Sequence, residues 1–267
     1  MAMLALKVLD RNGKTICVSR DNEFVSLVCT SEYHEGDRIV LETSEKNIHV
    51  WLQVDDALGA ALCYVTDNVS YDIPFGEKRI SYSPKAFYGK RHYLYARCAR
   101  EDEIYAYRNL AFNVCDQHGD THCYPHAWAN VETRGESVFA ARNAIDGVRE
   151  NRSHGEWPYE SWGINMQDDA EITVEFGRMV EIDRIVLYTR SDFPHDNWWR
   201  QVSLSFSDGE GMEWLLEKSR FAHVLTIPAK KVTWVKMEKL IKADDPSPFP
   251  ALSQIEIYGR DVEKSKK

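Results

Sequence analysis

The stretch IDRIVLYTRSDFPHDNWW, Ile182 to Trp199, joins two kinds of chain. In its first half Ile185 and Leu187 alternate with Val186 and Tyr188, a β-branched and aromatic run that fits a pleated sheet buried on at least one side. The second half cannot continue that strand. Pro194 removes a ladder donor, and Ser191, Asp192, His195, Asp196 and Asn197 are turn residues, so Trp198 and Trp199 are expected at or near a loop on the rim of the sheet. Arg190, His195, Asn197 and two indoles on one rim suit a sugar: Arg and Asn donate to hydroxyls, His can donate or accept, and an indole face packs on the C–H face of a pyranose. The same letters also fit a core-and-cap pair of tryptophans beside a well-made turn.

Working outward, the flanking segments read as antiparallel sheet. Ile172, Val174 and Phe176 alternate with Thr173 and Glu175, while Val202, Leu204 and Phe206 alternate with serines up to the Asp208-Gly209 turn. TWVKMEKL (233–240) and LSQIEIYG (252–259) are further strands. Towards the N-terminus, LALKVLD, TICVS, FVSLVCT, DRIVLET, HVWLQVD, AALCYVT and RHYLYARCA follow one another with turn residues between them, Asn12-Gly13 first. Glu101 to Leu110 is the best candidate for a helical turn, because acidic residues lead and apolar ones recur at three or four. The expected fold class is therefore all-β, with two β-sandwich (jelly-roll) domains over residues 1–123 and 124–262.

Five pieces of the second half occur in a fixed order: FAARNAIDG with its N-A-x-D-G box, a strand ending in Phe-Gly, an I-D-x-I-x-L strand followed by Arg, an S-x-S-x-D-G hairpin and a closing I-E-I-Y-G. In that order this half resembles the discoidin or coagulation-factor C-type domain, a galactose-binding-like jelly roll that includes the family-32 carbohydrate-binding modules. The resemblance implies ligand-binding loops gathered at one end of the sandwich. Here those loops hold Trp157, Tyr159 and Trp162; Arg190, His195, Asn197 and Trp198; and Pro248 and Phe249. Sugar binding is expected from Trp157, Arg190, His195, Asn197, Trp198 and Phe249. The resemblance also implies a structural calcium ion beside Asp146, with Asn151, Ser153 and Gln254 as further oxygen donors. Gln254 stands where the family carries Glu, and calcium takes six to eight oxygens.

Composition bounds the function. A net charge of −9 and a pI near 5.5 disfavour binding to nucleic acid or to an anionic membrane. Neither half is a basic arm, since residues 1–123 hold 14 Lys+Arg against 18 Asp+Glu and residues 124–267 hold 19 against 24. No apolar run approaches the roughly 20 residues that span a bilayer, and no basic leader precedes an apolar stretch. A cytoplasmic protein is expected, with a trimmed leader as the alternative. The six cysteines all lie in the first half without a CxxC pair and are read as thiols. Cys115 to His126, CDQHGDTHCYPH, is dense in zinc-ligand types but matches no zinc spacing, so a polar connection between the halves is the preferred reading. No nucleophile-elbow, phosphate-loop or dinucleotide motif is present. The leading expectation is a non-catalytic carbohydrate-binding protein. Its alternatives are a glycan-processing enzyme working in the first domain or the groove between domains, and a protein-interaction module.

Overall fold

The computed structural model describes residues 2–191 and 196–263, and every strand pairing in it is antiparallel. Eight strands form the first part: β1 (Met3–Leu9), β2 (Thr15–Asn22), β3 (Phe24–Cys29), β4 (Arg38–Thr43), β5 (Ile48–Gln53), β6 (Ala61–Val65), β7 (Val69–Asp72) and β8 (His92–Cys98). Their apolar residues alternate as sheet demands. In β3, Val25, Leu27 and Cys29 point inward while Phe24, Ser26 and Val28 face out. A four-stranded sheet in the order β2-β1-β4-β7 and a five-stranded sheet ending on β8-β3 share one core that contains Leu4, Leu6, Ile39, Leu52 and Leu94.

The expected helical turn shrinks to α1 (Glu101–Ile104), because Arg108 breaks away to pair with the last strand of the chain. Four short strands follow: β9 (Arg108–Asn109), β10 (Cys123–Tyr124), β11 (His126–Ala129) and β12 (Trp162–Gly163). Here the chain crosses and recrosses between halves. Leu110 and Ala111 lie in the second core, Val114, Cys115 and Cys123 return to the first, and β10 completes the five-stranded sheet against β6.

The third sheet contains β13 (Ile172–Thr189), β14 (Trp199–Phe206), β15 (Gly211–Leu215), β16 (His223–Lys242) and β17 (Ala251–Asp261). Two strands expected as separate, AEITVEFG and IDRIVLYTR, are one continuous β13. It breaks register between Glu175 and Val180, pairing β11 before the break and β17 after it. A single strand thereby borders both parts of the core, which contains Trp162, Trp199, Phe176, Phe206 and Ile257. The closing glycine of I-E-I-Y-G is required by close approach: a Cβ on Gly259 would lie 2.0 Å from the Glu181 carbonyl oxygen. Among the described residues no helix is long and apolar enough to cross a membrane. All six cysteines are free thiols.

Candidate functional site

At the end of this sheet, β12 pairs Trp162 with Leu252 and Gly163 with Ala251 on β17. Only glycine fits at 163, because a Cβ there would meet the Thr133 hydroxyl at 2.6 Å and the Phe139 ring at 3.2 Å. Segment 133–139 consequently lies flat on β12, and the Thr133 hydroxyl accepts the Asn165 N–H at 2.9 Å. Asn165 and Met166 both adopt positive φ, a turn that carries their side chains outward.

Arg190 anchors the opposite wall. Its guanidinium grips the Asp196 carboxylate in a fork, Nε to Oδ2 at 2.6 Å and Nη2 to Oδ1 at 3.1 Å, and donates from Nη1 to the Ser161 hydroxyl at 3.1 Å. Both partners are buried, so the fork ties residue 190 to residue 196. Asn197 fixes the neighbouring loop by donating to the carbonyls of Ala243 (3.3 Å) and Ser247 (2.7 Å), while its own N–H reaches the Phe249 carbonyl at 3.3 Å. Phe249 is thereby presented on the rim, 41% exposed.

The result is a pocket of about 110 Å³. Phe139, Ile164, Met166 and Phe249 give it apolar walls, Asn165 and His154 supply polar edges, and the Arg190–Asp196 fork borders it.

Of the residues expected to bind ligand, the structure brings Arg190 and Phe249 together at this pocket. Arg190 is engaged by Asp196 and Ser161, so it shapes the wall and has little left to offer a ligand. The Asn197 amide group is likewise committed to backbone carbonyls. Trp198 is half-buried, with its N–H on Asn197 Oδ1, and does not line the pocket. Trp157 lies elsewhere and donates its N–H to the Ile80 carbonyl of the first half at 2.9 Å. His195 lies outside the described residues. The adjacent tryptophans are not a stacking platform: Trp199 is fully buried, its ring 6.3 Å from that of Trp162, also a core residue rather than a loop one. Phe139, His154, Asn165 and Met166 were not anticipated. For Phe139, Asn165 and Met166 the signal is the Trp162-Gly163 step, whose missing Cβ brings segment 133–139 against the 163–166 turn.

The expected calcium donors divide. Gln254 Oε1 accepts the Gly147 N–H at 3.0 Å, and Asn151 Nδ2 donates to the carbonyls of Thr189 (3.1 Å) and Arg220 (3.0 Å), so both side chains serve the backbone. Ser153 is half-buried in the following loop. Asp146 keeps carboxylate character and accepts the Val148 N–H at 2.9 Å. Its neighbour is Glu160, 1% exposed, with neither carboxylate oxygen hydrogen-bonded among the described residues. Burial, and then the Asp146 charge, push Glu160 up to about 8. Burial also raises Asp146 to about 6, against the opposing pull of Arg142. Glu160 supplies two unpartnered buried oxygens and Asp146 a neighbouring carboxylate that accepts one backbone N–H, donor types that a hard cation takes. Two carboxyls alone fall short of the six to eight oxygens calcium takes, and Gln254 and Asn151 are spent on the backbone.

The Cys/His-rich segment disperses pairwise. His118 pairs with Glu132 at 2.8 Å, His122 with Asp120 at 3.2 Å and His126 with Asp116 at 2.7 Å. Among the described residues no three of His, Cys, Asp and Glu converge as a metal group.

No family model matches the chain, and no curated protein matches it. Solved structures do. The family 32 carbohydrate-binding module of C. perfringens NanJ, in complex with galactose, is 17% identical over 49% of this chain and 91% of its own, with a TM-score of 0.39. Over about half its length the chain resembles such modules. Chitosan-binding module 1 of a Paenibacillus sp. IK-5 chitosanase/glucanase is 18% identical over 57% of this chain and 98% of its own, with a TM-score of 0.40. The lectin domain of lectinolysin, complexed with Lewis B antigen, is 19% identical over 58% and 97%, with a TM-score of 0.41. At such scores the likeness is one of architecture, and nothing about the site follows from it.

Proposed function

We propose that this chain is a non-catalytic carbohydrate-binding protein that holds a sugar in the rim pocket of its second half. The observation that carries the reading is the apposition of exposed Phe249 and Met166 with Asn165 and His154 beside the buried Arg190–Asp196 fork. A sugar ring is amphipathic in the matching way. Its C–H face packs on Phe249, and its hydroxyls both donate to and accept from the Asn165 amide. Binding of a single unit is weak, because each polar contact replaces one with water and the pocket is small.

The account extends to a structural calcium ion at Asp146 and Glu160, where it would displace the Glu160 proton and brace the loop after the Asp146-Gly147 box. A glycosidase would need two carboxyls facing a sugar. The Asp146–Glu160 pair is the strongest carboxyl couple near the loops, yet both members are buried and neither borders the rim pocket, which favours the binding role.

Galactose, a chitosan oligomer and Lewis B antigen are the first probes. Calorimetric titration of the full chain against each should detect binding of at least one, weakened about tenfold by Phe249→Ala or Asn165→Ala. Equal affinity in folded variants would refute the rim-pocket assignment.

A further inference from the structure

A second concavity, of about 600 Å³, opens where the two halves meet. The first half contributes Phe75, Glu77, Lys78 and Tyr82, and the second contributes Ser137 and Arg142. The walls are fastened together. The Ser137 N–H donates to Glu77 Oε1 at 2.6 Å, and the Ser137 hydroxyl donates to the Glu77 carbonyl at 2.7 Å. Arg142 lies over the Tyr82 ring at 4.3 Å.

Arg142 is the informative residue. It is 7% exposed, its Nε donates to the Asp116 carbonyl and its Nη1 to Asn143 Oδ1, each at 3.0 Å. That leaves Nη2 without a hydrogen-bond partner among the described residues. The rest of the guanidinium is held by Asp116, Asn143 and the Tyr82 ring, so the free amino group, open to the cleft, is preorganised to donate to an acceptor placed there. Around it the lip offers both kinds of polar group: the carboxylates of Glu35, Asp72 and Glu77 accept, and Lys78 donates. Phe75 and Tyr82 supply aromatic surface. Four lining carboxylates, Asp37 included, face two lining cations, which disfavours an anionic ligand. Donors, acceptors and aromatic faces together match a hydroxyl-rich neutral molecule, and the volume falls within the roughly 300–1,000 Å³ of small-molecule sites.

The two concavities share a wall. Thr133, Arg134 and Phe139 line the rim pocket, while Gly135, Ser137 and Ala140 of the same segment line the cleft. We propose that the cleft is a second saccharide site, specific for neutral oligosaccharides, in which the first half of the chain takes a direct part. This site stands on the Arg142 geometry and does not require the rim pocket to bind.

The test uses crystals of the full chain soaked with cellotriose, maltotriose or N-acetyllactosamine, and with 3′-sialyllactose as the charged comparison, alongside calorimetry. At least one neutral probe should give density between Tyr82 and Glu77, within reach of Arg142 Nη2. Its affinity should fall about tenfold in the surface double variant Glu35→Ala/Lys78→Ala. Density from none of the neutral probes, wild-type affinity in the double variant, or a preference for sialyllactose would each overturn the proposal. Density in the rim pocket alone would remove the cleft and leave the rim-pocket reading standing; density in the cleft alone would do the reverse.

Discussion

Arg190 shows how one side chain can be legible in chemistry and misjudged in role. Its place after the I-D-x-I-x-L strand put it at the site, and the structure gives its fork to Asp196. Breaking a buried pair strands the partner's charge, so Arg190→Met should cost about 3–5 kcal/mol in urea unfolding, and a loss below about 1 kcal/mol would contradict the pairing. Glu160 makes a pH prediction. Its folded pKa of about 8 lies above its ordinary value, so the native state keeps a proton that the unfolded chain releases. This stability is fully present below about pH 4.5 and is lost as pH rises through about 8. In chelator, the melting temperature should therefore fall between pH 5 and 8, and Glu160→Gln should flatten that slope. Millimolar calcium at pH 8 should raise the melting temperature of the wild type and leave Glu160→Gln unmoved; an unmoved wild type would remove the calcium ion from the account. Asn165 was invisible as a candidate residue because its neighbours Thr133 and Phe139 come against the 163–166 turn only through the bare backbone of Gly163.

At the scale of the element, period-two alternation located the strands of both cores, since one buried face forces it. It failed at Trp199 for a specific reason. Extending the inward set Val202, Leu204 and Phe206 back along β14 places Trp199 outside, but register breaks between Trp199 and Gln201 and between Gln201 and Ser203 turn it inward. Such irregularities leave little trace in residue type. Trp199→Ala should cost about 3–5 kcal/mol by denaturant titration, the range for removing a buried aromatic, and a near-neutral effect would contradict its place in the core. The same blindness fused two expected strands into β13, because nothing in Gly177-Arg178-Met179 announces whether a chain turns back or bends through.

Across the whole molecule, the halves are joined by more than the connecting segment. Arg178 lies over Tyr64 at 5.1 Å, and Asp261 accepts from His49 at 2.9 Å and from Arg108 at 2.7 Å. Burial opposes the charge on Asp261, yet hydrogen bonds from His49 and Arg178 hold its carboxyl far below the usual range. Heating should accordingly melt both halves in one calorimetric transition, whereas two well-separated peaks would contradict the coupling. The all-β class could be read from period-two alternation and turn chemistry. The joint between the halves could not, because it depends on contacts such as His49 with Asp261, 212 positions apart in the chain.

The most direct test of a sugar in the rim pocket is a backbone and side-chain NMR titration of the intact chain with galactose, a chitosan oligomer and Lewis B antigen. Saturable shifts centred on Ile164, Asn165, Met166 and Phe249, absent from a folded Phe249→Ala variant, are the predicted result. Saturable shifts that bypass those four residues, or no shift with any of the three probes, would contradict it.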